Sequence, residues 1–130
     1  MKILVGYRGL DVGRELLEIA LKHAKAFDGE VLVITSMKGG EKDQHAAYEE
    51  AEKNLKDAGQ YFDENGVKSD IHLLVRGFEP GEDIVRFARE KNVDEIIIGV
   101  KSRSKVGKLL FGSTAQTVIL RAPCPVVTVR

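Results

Sequence analysis

The residues best suited to chemistry lie between Gly99 and Thr114, in the run Gly-Val-Lys-Ser-Arg-Ser-Lys-Val-Gly-Lys-Leu-Leu-Phe-Gly-Ser-Thr. Lys101, Arg103, Lys105 and Lys108 stand there with no acidic residue among them, and Gly99, Gly107 and Gly112 punctuate the run. The run follows the apolar Ile96-Ile97-Ile98 and precedes a helical pattern opening at Ser113. A basic, glycine-bearing loop feeding a helix amino terminus supplies what an anion needs: free N–H groups, a positive dipole end and nearby cations. Gly112 lets the chain turn tightly, while Ser113 and Thr114 add two hydroxyls. Ser113 with Gln116 three residues on also fits a capping box, which satisfies the helix end without any ligand. Capping and phosphate binding both remain open at this point.

Other chemistries find less support. A P-loop needs Gly-x4-Gly-Lys-Ser/Thr, but Ser102 stands where its first glycine belongs and Leu109 where its hydroxyl belongs. Gly6, Gly9 and Gly13 do not have the spacing of a dinucleotide fingerprint and read as a tight turn into the first helix. His23, His45 and His72 are scattered, with no metal-site spacing, and read as surface or half-buried residues. Cys124, between Pro123 and Pro125, reads as a small core residue because no base is identifiable for it. Ser36, Ser102, Ser104 and Ser113 likewise show no partner, and Glu95 is read as neutralising a helix or a lysine rather than as a general base. No catalytic constellation emerges.

The elements that must position the 99–114 run follow from periodicity. Ile3-Leu4-Val5, Val31 to Ile34, Ile71 to Val75, Ile96 to Ile98 and Val126 to Val129 are unbroken apolar runs, predicted as buried strands. Helices are predicted between them. The first, with Asp11 as its N-cap, buries Leu16, Leu17, Ala20, Leu21, Ala24 and Phe27 and ends at Asp28-Gly29. The second buries Ala47, Ala51, Leu55, Ala58 and Phe62 and stops at Asn65-Gly66. The third opens at Pro80, with Glu79, Glu82 and Asp83 complementing its positive end, and buries Ile84, Val85 and Ala88. The fourth turns Ala115, Val118 and Ile119 inward. Strands alternating with helices imply a doubly wound α/β domain, which binds ligands beyond the carboxyl ends of its strands.

The totals bound the class. The chain has 130 residues, 43% hydrophobic and 31% charged, as expected of one globular domain spanning 1–130. Twenty basic and 20 acidic residues cancel, so nothing draws the whole molecule toward nucleic acid or a membrane. A single cysteine fits a reducing compartment. The first apolar run is too short for a signal peptide and no stretch approaches a spanning helix, so a cytoplasmic location is expected.

On these residues the chain resembles the universal stress protein family over essentially its full length. The family's motif is Gly-x2-Gly-x9-Gly-Ser/Thr; Gly99, Gly112 and Ser113 match it at the family spacing. Ile3-Leu4-Val5-Gly6, the Gly-x-x-Pro of Gly77 to Pro80, and Phe111 to Val129 are also typical. The resemblance implies an adenine nucleotide alpha hydrolase-like fold: a five-stranded parallel sheet in the order 3-2-1-4-5 with four helices. It implies ATP, with Mg²⁺, as ligand and no cofactor required for folding. Phosphates would be held by Gly99, Lys101, Ser102, Gly112, Ser113 and Thr114, base and ribose flanked by Gly6, Tyr7, Arg8 and Val33 to Thr35, and Val100 would also belong to the nucleotide site. It further implies a homodimer through Val126 to Arg130, a nucleotide or other phosphate-bearing partner, and stress regulation without enzymatic activity. Two positions depart from the pattern. Ser102 replaces the second glycine, adding a Cβ where backbone would approach phosphate. Arg8 replaces an aspartate, exchanging an acceptor for a fixed cation that can attract phosphate. They define the alternative, a dimeric interaction protein of the same fold that binds no nucleotide. An enzymatic reading lacks the His-x-Gly-His or Ser-Gly-Gly-x-Asp-Ser signature of nucleotidyl transferases of related folds.

Overall fold

The computed structural model describes residues 1–8, 10–100 and 112–130, with the side chains of 10–12 left aside. Lys101, Ser102, Arg103, Ser104, Lys105, Gly107 and Lys108 therefore lie outside the described residues, as does Gly9. The elements are β1 (Lys2–Gly6), α1 (Leu10–Phe27), β2 (Glu30–Met37), α2 (His45–Glu64), β3 (Ser69–Val75), α3 (Pro80–Lys91), β4 (Glu95–Gly99), α4 (Ser113–Arg121) and β5 (Val126–Val129). The strands form one sheet in the order β3-β2-β1-β4-β5, with every pairing parallel. Strand order thus reverses between β1 and β4, where Gly6 is level with Ile98.

Successive side chains along a strand point to opposite faces, and this parity divides the core. Ile3, Val5, Val31, Val33 and Ile97 pack with Leu16, Leu17 and Ala20 of α1 and Leu55, Ala58 and Phe62 of α2. Leu4, Leu32, Ile34, Ile96 and Ile98 pack with Ile84, Val85 and Ala88 of α3 and Ala115 and Val118 of α4. A sheet covered on both faces explains why its inner strands read as unbroken apolar runs rather than alternating ones. Full burial of each isoleucine or leucine contributes about 1.5–3 kcal/mol.

Several sequence-based expectations are corrected at element ends. Helix α1 starts at Leu10, so Asp11 lies inside its first turn instead of capping it. Phe27 is 59% exposed, because it is the last residue of α1 and its ring leans edge-on toward His23. Ala47 is exposed in the first turn of α2, and the buried stripe begins one turn later at Ala51. Ile119 is 41% exposed, since α4 packs through Ala115 and Val118. Asp83 is fully buried, and its carboxylate serves side chains rather than the dipole of α3.

Candidate functional site

A cavity of about 320 Å³ opens where β1, β2 and β4 end. Its apolar floor is Gly6, Ile34, Ile84, Ile98 and Ala115. These residues come from the sheet face that carries α3 and α4, so the cavity continues that half of the core outward. Tyr7, Gly13 and Leu16 form a wall from the α1 side, and Pro80 brings in the start of α3.

The polar lining is sparse and placed at element ends. Gly112, Ser113 and Thr114 line the cavity at the amino terminus of α4. Gly112 occupies the N-cap position and Ser113 is the first helical residue, so Ser113 is not itself the cap that the capping-box pattern predicted. The first turn of α4 closes through Gln116 N donating to Gly112 O at 3.0 Å. The N–H groups of Ser113, Thr114 and Ala115 precede that bond and have no partner within the helix. Arg8 also lines the cavity and is exposed. Cation, dipole end and N–H groups without a partner inside the helix converge on one space, which is the chemistry of an anion site.

Packing holds these groups in place. A Cβ at Gly13 would fall 2.5 Å from Tyr7 Cε1, so only glycine lets α1 pass this close to the tyrosine ring. Tyr7 N donates to Ile34 O at 2.8 Å, and the Thr35 hydroxyl donates to Tyr7 O at 2.8 Å. Burial raises the Tyr7 phenol above its ordinary value, and Asp57 adds to the rise, so the ring is neutral at pH 7.

The lining includes Gly6, Tyr7, Arg8, Gly99, Val100, Gly112, Ser113 and Thr114 from the sequence-predicted set. Lys101 and Ser102 lie outside the described residues. Val33 and Thr35 do not line the cavity; their parity turns them to the α1/α2 face, where Val33 is fully buried. Ile34 and Ser36, of the opposite parity, take that place. Ser36 has a partner that sequence reasoning missed: its hydroxyl donates to Asp83 Oδ2 at 2.7 Å. Arg76 Nε donates to Asp83 Oδ1 at 2.7 Å, and Arg76 Nη1 reaches Glu90 at 2.9 Å. Glu95 also has a partner, His23 Nδ1 at 2.6 Å, at the opposite end of β4 from the cavity. Among the described residues no group of His, Cys, Asp and Glu is gathered to hold a metal ion, so a divalent ion here would need ligand phosphates to complete its coordination.

The whole chain, residues 1–130, matches the sequence model of the Universal stress protein family. The chain belongs to this family. It is 32% identical to a universal stress protein of Methanocaldococcus jannaschii, over 99% of this chain and 81% of that one. The fold of a universal stress protein from Archaeoglobus fulgidus superposes with a TM-score of 0.92 at 37% identity, covering 100% of this chain and 98% of the other. A universal stress protein structure from Archaeoglobus fulgidus in complex with dAMP gives a TM-score of 0.86 at 34% identity, with the same coverage. The universal stress protein fold described here is thus the adenine nucleotide alpha hydrolase-like one, with its crevice at the reversal between β1 and β4. No helix among the described residues is long and apolar enough to cross a membrane.

Proposed function

We propose that this universal stress protein, a single domain over 1–130, binds an adenine nucleotide in the cavity above β1, β2 and β4. One observation carries the reading: Arg8 and the start of α4, whose first N–H groups have no partner within the helix, line the same cavity, whose remaining floor is apolar. Phosphate suits the first and a purine ring the second. The dAMP complex of the Archaeoglobus relative supports the ligand class. ATP is the ligand proposed, with Mg²⁺ carried by its phosphates. The carboxylate that Ser36 meets, Asp83, is already held by Arg76, and the output proposed is a change of conformation or partner, in the cytoplasm, and not turnover. The chain is proposed to act as a homodimer through the Val126 to Arg130 edge, because β5 is the last strand on one side of the sheet.

Calorimetry with ATP and AMP tests the site. Binding is expected, and Gly112→Val should abolish it by filling the turn into α4. Purified protein that binds neither nucleotide at millimolar concentration would sink the proposal. Arg8→Asp combined with Ser102→Gly addresses the alternative, an interaction protein without nucleotide. If only that double variant binds ATP, the alternative holds for the natural chain. Sedimentation velocity is expected to show a dimer.

A further inference from the structure

We propose that Ser36 is a specificity-determining residue that accepts a hydrogen bond from an N–H or O–H group of the bound nucleotide. The inference rests on the nucleotide reading of the cavity and concerns what that cavity selects.

Ser36 lines the cavity and is 8% exposed. A serine hydroxyl has one proton to donate and lone pairs that accept. Here the proton is committed. It points to Asp83 Oδ2 at 2.7 Å, and Asp83 is fully buried. The carboxylate cannot turn away to release it, because Arg76 Nε holds its other oxygen at 2.7 Å and Glu90 holds Arg76 from outside. A buried carboxylate that lost the hydroxyl would forfeit one of its few partners, so the orientation is enforced. The cavity therefore meets only the accepting side of Ser36. The lining residues around it, Ile34 and Ile84, offer no competing side-chain donor or acceptor.

This polarity is opposite to that of the α4 terminus, which presents N–H donors. Ser36 ends the series Leu32, Ile34, Ser36 on β2, whereas α4 follows β4. Two strand spacings, roughly 9–10 Å, separate β2 from β4. A nucleotide with its phosphates on α4 can thus extend a donor-bearing part over β1 toward Ser36. Two parts of an adenine nucleotide donate: the exocyclic amine of the base and the hydroxyls of the sugar. A carbonyl in the same place would set two acceptors against each other.

The test compares three probes, AMP, IMP and dideoxy-AMP, on the full chain by calorimetry. IMP replaces the amine with a carbonyl, and dideoxy-AMP lacks both sugar hydroxyls. Wild-type protein should favour AMP over one of them by about tenfold, since a site built to bond a donor rejects the analogue lacking it. The disfavoured probe identifies the group read. Ser36→Ala should bring that ratio close to one. Thermal unfolding without nucleotide checks that the variant folds, and Ser36→Cys, which keeps the shape but accepts weakly, carries the same ratio test if Ser36→Ala does not. A variant that weakens all three probes equally, or leaves the ratios unmoved, overturns the role of Ser36 while the nucleotide reading stands. Wild-type protein that binds none of the three overturns both.

Discussion

Gly81 and Thr117 meet where α3 crosses α4, and a Cβ on Gly81 would fall 2.8 Å from Thr117 Cβ and 3.1 Å from Thr114 O. The atoms in the way are anchored to the α4 backbone, so no rotamer change relieves the approach. Gly81→Ala should therefore push α4 outward and destabilise the protein by about 1–3 kcal/mol, as overpacking does. Urea denaturation reads the change. Thr117→Ala should not rescue it, because the obstructing atom is the Cβ that alanine keeps. Since Thr114 lines the cavity, nucleotide affinity should fall with stability.

Gly13→Ala sets two effects against each other. Alanine in a helix interior normally stabilises by about 0.5–1 kcal/mol over glycine. Here the added carbon would sit 2.5 Å from the Tyr7 ring, and displacing a buried ring costs about 1–3 kcal/mol. The second effect should win and the melting temperature should drop. A melting temperature above wild type would show that the ring moves freely, contrary to its 2% exposure.

Arg76→Leu should leave Asp83 buried with Ser36 as its remaining side-chain partner among the contacts described. Breaking one side of a buried ion pair costs about 3–5 kcal/mol. Chemical denaturation should show a loss in that range. Asp83→Ala in the same chain should recover part of it, because the uncompensated charge is then gone.

Cys124 provides a pH prediction. Burial pushes its thiol up, and Asp94 and Glu95 add in the same direction. The folded protein should then react with iodoacetamide more slowly at pH 8 than the urea-unfolded chain, because less thiolate is present. The native thiol also keeps its proton longer than the unfolded one. Its contribution to stability is therefore complete below the ordinary thiol range and fades as pH rises through the raised native value. Equal alkylation rates in the two states at pH 8 would contradict this.

The sheet was legible because each strand is an apolar run bounded by turn residues, and Gly99, Gly112 and Ser113, singled out by spacing, all line the cavity. What escaped were contacts between residues far apart in sequence. Ser36 and Asp83 are 47 residues apart, and His23 and Glu95 are 72 apart; no local pattern joins them. Asp83 looked like a charge placed for the helix dipole because its neighbours Glu79 and Glu82 allow that reading. Of the predicted stretch Val33 to Thr35 only Ile34 lines the cavity, and Ser36 just beyond it does too, because parity turns Val33 and Thr35 to the other face. An apolar run buried on both faces does not announce which alternate residues look toward the cavity. A signal was present all the same: Leu32 and Ile34 lead to a serine, a polar residue continuing one face of a buried strand.

The wall that Tyr7 forms also gives the molecule an optical probe of its own. The chain has no tryptophan and three tyrosines. Tyr48 and Tyr61 belong to α2, and Tyr7 alone of the three lines the cavity. Ultraviolet emission from this protein is tyrosine emission, undiluted by indole. A base arriving beside Tyr7 should quench one component of it, and Tyr7→Phe should silence that component, so occupancy can be followed without attaching a dye.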